Sequence, residues 1–83
     1  MTLKAVIHVR LRSGILDPQG RAIYQSLQAL GFSGVEDVRV GKCFEIMLHA
    51  DNLHAAEAQV QAMCDKLLAN PVIEEYRYEL GMP

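Results

Sequence analysis

The side chains that could do chemistry in this sequence are scattered along it. Its three histidines are His8, His49 and His54, and no two of them have the i, i+4 spacing with which histidines of one helix bind zinc. Only His8 lies inside a strand-like pattern, where a second group could face it. We therefore interpret all three as surface histidines.

Thiols and carboxylates give no stronger signal. Cys43 and Cys64 are far apart and form no C-x-x-C pair, so we expect two reduced thiols and neither a zinc site nor a redox motif. Glu36-Asp37 and Glu74-Glu75 are adjacent carboxylates, but neighbours on a strand point to opposite faces and cannot share a proton or a metal. The sequence therefore predicts no catalytic, cofactor-binding or metal site in this chain.

Basic residues are the remaining candidates for a functional surface. Those that could hold a phosphate, a partner's acidic surface or a second copy are His8, Arg10, Arg12, Arg21, Arg39 and Lys42. Solubilising charge explains them equally well. The net charge of −2 lacks the basic excess of a nucleic-acid or membrane-surface binder, so we expect neither partner.

The length limits the core. We expect the 83 residues to form one domain, residues 1–83, which buries only roughly 60–65% of its unfolded surface. Since 51% of the residues are hydrophobic, some apolar surface is left for a partner. We expect a homodimer or a higher oligomer.

The first half contains the clearest structural signals. Apolar residues alternate from Leu3 to Leu11, which predicts a half-buried strand. Asp17 as N-cap, Pro18 at the first helical position and Gly31 as a left-handed stop delimit an amphipathic helix. We expect Phe32 to pack under the end of this helix.

The middle of the chain reads as a hairpin. Val35 to Val40 predicts a second strand, Gly41-Lys42 a reversal, and Phe44 to Leu48 a third strand. A two-residue loop would put Val38 and Val40 on the face opposite Phe44. We prefer a three-residue loop or a bulge, which places them on the same face.

The last third repeats the helix-strand order. Asp51 or Asn52 can cap a second helix whose apolar face carries Leu53, Ala56, Val60, Met63 and Leu67. Asn70-Pro71 ends it, and Ile73 to Leu80 alternates as a fourth strand.

The predicted order is βαββαβ, an α+β two-layer sandwich of ferredoxin-like order. Its antiparallel four-stranded sheet has the first and third strands at the centre and both helices on one face. The opposite face would present Lys4, Val6, His8, Arg10, Glu45, Met47, Arg77 and Glu79. Such a mixed surface is either solvated or half of a sheet-to-sheet dimer interface, and we favour the interface.

Neither membrane nor export signals are visible. The N-terminal residues alternate polar and apolar, unlike a signal peptide, and no segment approaches the ~20 apolar residues that span a bilayer. We expect a cytoplasmic protein.

Three runs resemble a known family. They are LDPQGRAIYQSLQALGFSGVEDVRVGK, CFEIML and CDKLLANPVIEEYRYEL, which together cover nearly the whole chain. The most specific pieces are Asp17–Gly20, Gly34–Lys42 and Leu68–Glu74. They resemble PurS, the small subunit of phosphoribosylformylglycinamidine (FGAM) synthase in purine biosynthesis.

The resemblance implies a noncatalytic subunit. In that family a synthetase subunit binds formylglycinamide ribonucleotide, ATP and Mg²⁺, a glutaminase subunit releases ammonia from glutamine, and PurS dimers help to assemble the two. The family supplies no catalytic residue to carry over, and the chain itself would bind no cofactor. Its partners would be the synthetase, the glutaminase and a second copy.

Two other functions fit the predicted topology. An ACT-like regulatory domain shares the βαββαβ order and binds small molecules between subunits. A small dimeric ferredoxin-like enzyme would need a pocket between sheet and helices, and His8 is on the wrong face for that.

Overall fold

The protein is built from three strands and two α-helices in the order β-α-β-α-β. The structure is a computed structural model that describes residues 1–83. The elements are β1 (Thr2–Leu11), α1 (Pro18–Ala29), β2 (Gly41–His49), α2 (Leu53–Met63) and β3 (Glu74–Gly81), and the π-helical turn Cys64–Leu68 follows α2 directly.

The sheet is centred on β1. Its strand order is β2-β1-β3 and both pairings are antiparallel, with Ile7 opposite Phe44 on one side and Tyr78 on the other. Along β1, Leu3, Ala5, Ile7 and Val9 are buried, as the alternation predicts. The predicted pairing of the first strand with residues 44–48 is also confirmed.

Helix α2 covers one face of this sheet. Its N-cap Asn52 accepts a hydrogen bond from the backbone N–H of Ala55 at 2.8 Å, and its fully buried residues are Ala56 and Val60. They join the buried residues of β1 and the buried Cys64 in a single core cluster. The core therefore lies between the sheet and α2 alone.

The π-helical turn shifts the apolar face of the second helix. The backbone N–H of Ala69 bonds to the carbonyl of Cys64 at 3.0 Å, which inserts one residue relative to an α-helical turn. As a result Leu68 packs against the core, while Leu67 is 82% exposed. The prediction that Leu67 belongs to the buried face is wrong for this reason.

The predicted four-stranded sheet is wrong, because residues 35–40 do not join the sheet. No hairpin forms at Gly41-Lys42: Gly41 is the first residue of β2 and lies opposite Arg10. A Cβ on Gly41 would stand 2.6 Å from the carbonyl oxygen of Val9. This glycine therefore allows the close approach of two strands. The sequence alone does not distinguish it from a glycine that forms a turn.

The caps of α1 are as predicted. An oxygen of Asp17 accepts from the N–H of Gly20 at 2.8 Å. At the other end Gly31 has φ +97° and the N–H of Phe32 bonds to the carbonyl of Leu27, which is the pattern of a Schellman motif.

The position of α1 differs from the prediction that both helices cover the sheet. Its only buried residue is Gly20, and the apolar residues around it face water: Leu16 is 74%, Leu30 73% and Phe32 58% exposed. Phe32 does not pack under the helix end. The amphipathic pattern of α1 is real, but its apolar side does not pack on the sheet.

Helix α1 and residues 35–40 run side by side as one unit, which we call the arm (residues 18–40). Gln28 donates from its side chain to the carbonyl of Val35 at 2.8 Å, and Val40 donates its N–H to Asp17 at 2.8 Å. From Asp17 to Gln28 the helix rises about 16 Å over eleven residues. These two contacts stretch residues 35–40 along the same length, which requires about 3.3 Å per residue, the rise of an extended strand. This segment is therefore extended and antiparallel to α1.

The arm makes the chain elongated. Its radius of gyration is 16.3 Å, whereas a compact chain of this length has about 12 Å. The accessible surface is 5841 Å², against roughly 4,900 Å² expected for a folded monomer of this mass. About 900 Å² more surface is thus left open than a compact chain would leave.

A pair of neighbouring substitutions on β1 tests the one-sided core. Ile7→Ala removes a fully buried side chain and should lower the free energy of unfolding by about 2–5 kcal/mol. Val6→Ala, on the opposite face, should cost about 1 kcal/mol or less. Urea unfolding at one fixed protein concentration measures both, and equal losses would contradict a core confined to the α2 side.

Candidate partner-binding surfaces

The sheet face opposite α2 carries charged and apolar residues in cross-strand rows. In one row His8 lies between Cys43 and Arg77, and in the next Val6 lies between Glu45 and Glu79. The register therefore confirms the predicted membership of this open face. Positively and negatively charged side chains alternate on this face, so its surface charge is mixed.

Four of the six predicted basic residues come together at one end of the open face. His8, Arg10, Arg39 and Lys42 line a cleft of about 470 Å³, together with Val9, Val40, Gly41, Cys43, Glu75, Tyr76 and Arg77. Residues of β1, β2, β3 and the arm meet there. The cleft thus brings cations of the arm and of the sheet together.

Most of these cations have an acidic partner. Arg10 pairs with Glu75 at 3.1 Å and Lys42 with Glu74 at 3.5 Å, and Arg77 beside them pairs with Glu79 at 3.3 Å. Exposed pairs of this kind stabilise a protein by about 1 kcal/mol at most. The cleft is therefore better suited to exchanging ion pairs with a protein surface than to holding a free anion.

The other two predicted residues lie outside this cleft. Arg12 donates from Nη2 to the carbonyl of Pro71 at 2.9 Å, which ties the end of β1 to the turn before β3. Arg21 stands over the ring of Tyr24, 6.0 Å from its centroid, beside the start of the arm. The six residues therefore do not form one site.

The junction between arm and sheet depends on Asp17, whose side chain is 9% exposed. One carboxylate oxygen accepts from Gly20, the other accepts from Val40, and the guanidinium of Arg39 is 3.8 Å away. The N–H groups of Val40 and Gly20 and, more weakly, the charge of Arg39 lower the pKa of Asp17. Sequence reasoning found the cap and missed the contact with Val40.

Gly20 completes this junction. A Cβ at this helical position would overlap the carbonyl oxygen of Val38 and the carboxylate of Asp17. Helix propensity disfavours glycine here, so its presence is explained by the close approach of residues 38–40 to α1. The Asp17–Gly20 motif thus serves the whole arm as well as the helix start.

The remaining reactive groups do not form a catalytic arrangement. Burial and the charge of Asp65 raise the pKa of the Cys64 thiol, which disfavours the thiolate, and Cys43 is an exposed free thiol. Burial is also the largest cause of the raised pKa of Tyr76. No group of three or more His, Cys, Asp or Glu residues is arranged to hold a metal. None of the helices has the length and apolar character needed to cross a bilayer.

Comparison with known proteins identifies the relatives of this fold and sequence. Residues 4–81 match the family model of PurS, described as phosphoribosylformylglycinamidine (FGAM) synthase. The chain belongs to the PurS family. Over 74 residues it is 49% identical to the PurS subunit of that synthase from Synechocystis, covering 89% of this chain and 74% of that protein. For the Bacillus subtilis subunit the identity is 42%, covering 93% and 90%.

Solved structures agree with the family and share the fold of this chain. The crystal structure of Methanocaldococcus jannaschii PurS superposes with a TM-score of 0.87 at 37% identity, covering 98% of both chains. A chain in the structure of PurLQS from Thermotoga maritima superposes with a TM-score of 0.90 at 33% identity, covering 98% of this chain and 99% of that one. That relative was therefore solved as part of a complex.

Acid should loosen the arm through Asp17. Because its pKa is lowered in the folded protein, the stability it contributes is complete above the ordinary value of about 3.9 and is lost as the pH falls through the lowered value. Protection of the Val40 amide against hydrogen exchange should fall over that range. Asp17→Asn should show weaker protection already at neutral pH and no acid step. Asp51→Asn, an exposed carboxylate beside α2, is the control, and a loss of the acid step in that variant would contradict the assignment.

Proposed function

We propose that this chain is the small, noncatalytic subunit of FGAM synthase in purine biosynthesis. The observation that carries the proposal is family membership over residues 4–81, and the relative found in PurLQS supports a role within a complex. Residues 1–83 would act as one PurS-like domain. The proposal places the chain in the cytoplasm, with its partner subunits.

The role we propose is to hold a synthetase subunit and a glutaminase subunit together. The synthetase would bind ATP, Mg²⁺ and formylglycinamide ribonucleotide, and the glutaminase would release ammonia from glutamine. Ammonia that escapes into bulk water is diluted and protonated, so the two active sites must be docked with a protected passage between them. An adaptor needs contact surfaces for this task and no reactive group of its own.

The chain offers such surfaces in three places. They are the open sheet face, the basic cleft at its end and the exposed apolar side of the arm. We propose that His8, Arg10, Arg39 and Lys42 contact an acidic partner surface at the cleft, and that Arg12 and Arg21 flank it. We also propose that the chain is a homodimer or higher oligomer.

The ACT-like and small-enzyme functions lose their structural basis. Both rested on the βαββαβ order, which this chain lacks. Three clefts of about 340–470 Å³ lie beside the open face and the arm, whereas an enzyme of that type needs a pocket between the sheet and its helices.

Reconstitution tests the adaptor function. Synthetase and glutaminase are combined with and without this chain, and FGAM formation is measured with glutamine and, separately, with ammonium salt as nitrogen donor. Leaving out the chain should abolish the glutamine-dependent reaction and spare the ammonia-dependent one. Equal rates with glutamine in both mixtures would refute the proposal, and loss of both reactions would point to a direct part in synthetase catalysis.

A charge reversal tests the cleft. Arg10→Glu puts a carboxylate beside Glu75 and should weaken binding to the partner subunits about tenfold, since like charges across an interface repel. Lys66→Glu, an exposed lysine of the π-helical turn, is the matched control. Calorimetry with each purified partner measures the affinities, and equal affinities for both variants would rule out the cleft as a contact.

A further inference from the structure

One arginine belongs both to the basic cleft and to the base of the arm. Arg39 lines the 470 Å³ cleft that also contains His8, Arg10 and Lys42, and it lines a second cleft of about 440 Å³ between α1 and residues 36–38. No other residue lines both of these clefts. A ligand that moves Arg39 in the basic cleft therefore also changes the base of the arm.

Arg39 closes the base of the arm by hydrogen bonds to the backbone. Its Nη2 donates to the carbonyl of Leu11 at 2.8 Å and to the carbonyl of Arg12 at 3.3 Å, where the chain leaves β1 for α1. Arg39 itself belongs to the segment that returns from α1 to β2. Its side chain thus ties together the two segments by which the chain enters and leaves the arm.

Few other contacts fix the arm to the sheet. Helix α1 does not pack on the sheet, and the bonds from Asp17 to Gly20 and Val40 lie within the base of the arm. The chain enters the arm through Gly14, which has φ +86° and no atom within 4 Å of the position of a Cβ. Hinges form at such loop residues, which absorb large changes of φ and ψ. The arm is therefore a rigid unit on a flexible link, and Arg39 holds its angle.

We propose that Arg39 is a latch that a carboxylate in the basic cleft opens. While Arg39 bonds to the two carbonyls, the arm stays in place. A carboxylate bound beside His8, Arg10 and Lys42 draws the guanidinium away from those carbonyls, and the arm becomes free to turn about Gly14. The latch regulates the arm through the acidic contact of the proposed function and rests on that contact.

The hydrogens of Nη2 make the two uses of Arg39 exclusive. Nη2 carries two N–H groups, and both are committed, one to Leu11 and the other to Arg12. A carboxylate that binds an arginine through two parallel bonds takes one from Nη2 and the other from Nε or Nη1. Bidentate capture of Arg39 therefore breaks at least one of the bonds that hold the arm.

The carboxylate wins this competition. A carbonyl is a neutral acceptor, whereas a carboxylate adds the attraction of a full negative charge and matches the fork of the guanidinium. The bonds from Arg39 to Leu11 and Arg12 are exposed, so water can replace the guanidinium on both carbonyls. Asp17 competes weakly, because its carboxylate is 3.8 Å from Nε of Arg39 and already accepts two backbone N–H groups.

Distances between spin labels test the latch. In a Cys43→Ser background, Gln25→Cys on α1 and Gln59→Cys on α2 are exposed sites that carry one label each, while the buried Cys64 stays unlabelled. An excess of unlabelled chain restricts the measurement to distances within one copy. Double electron–electron resonance then gives the width of the distance distribution between the arm and α2.

Loss of the latch should loosen the arm. Arg39→Gln should broaden the distribution about twofold or more, since the link at Gly14 is then free to move. Arg10→Gln is the matched control, because it removes a cation from the same cleft that pairs with Glu75 and not with the arm. Equal widths for the two variants overturn the latch.

A hexaglutamate peptide supplies the carboxylates in place of a partner. It should broaden the distribution of the chain that keeps Arg39 and leave that of Arg39→Gln unchanged, since this variant is already open. Potassium chloride at equal ionic strength should have no effect, because the bonds of the latch are short-range. The latch is overturned if the salt broadens the distribution equally, if the peptide does not bind, or if it binds without broadening the distribution.

Arg39→Lys gives an independent measurement. Lysine keeps the positive charge, but its ammonium is a single nitrogen and forms no bidentate fork. The peptide should still bind to this variant and should broaden its distribution by less than half as much as with arginine. An equal change would show that charge alone moves the arm, which contradicts the exclusive use of Nη2.

The latch and the proposed function can fail separately. If the peptide leaves the arm fixed while reconstitution with glutamine succeeds, only this inference falls. If the peptide loosens the arm while reconstitution fails, the proposed function falls and the latch remains a property of the chain.

Discussion

The carboxylate of Asp17 is the contact on which the shape of this protein depends. It binds Gly20 at the start of α1 and Val40 at the end of the extended segment, and both distances are 2.8 Å. Because the two ends of the arm are tied to one side chain, the segment continues straight into β2. A chain free to turn at Gly41 could have folded residues 35–40 back onto its own sheet.

The chain buries little of itself as a consequence. Only 11 of its residues are buried, and ten of them form the core between the sheet and α2. Small domains with such cores usually need another source of stability, such as oligomerisation. The surface left open in a single copy is thus available for contacts within a complex.

The sequence predicted local structure well where the cause is local. The caps of α1 and the alternation of β1 depend on neighbouring residues, so Asp17, Gly31 and the row from Leu3 to Val9 could be assigned. Gly41 was misassigned because a glycine needed for close strand approach and one needed for a turn look alike in sequence. Leu67 was misassigned because a π-helical turn leaves no signature in apolar spacing.

The candidate surfaces show the same limit. The alternation of side chains along β1 is enough to place His8 on the open face. That Arg39 and Lys42 lie beside it can be predicted only when the path of the arm is known. That path is set by Asp17, whose role as N-cap is complete without a second contact, and by Gly20, whose neighbour Val38 the sequence does not indicate. The decisive residues are thus those with both a local and a long-range role, and sequence patterns show only the local one.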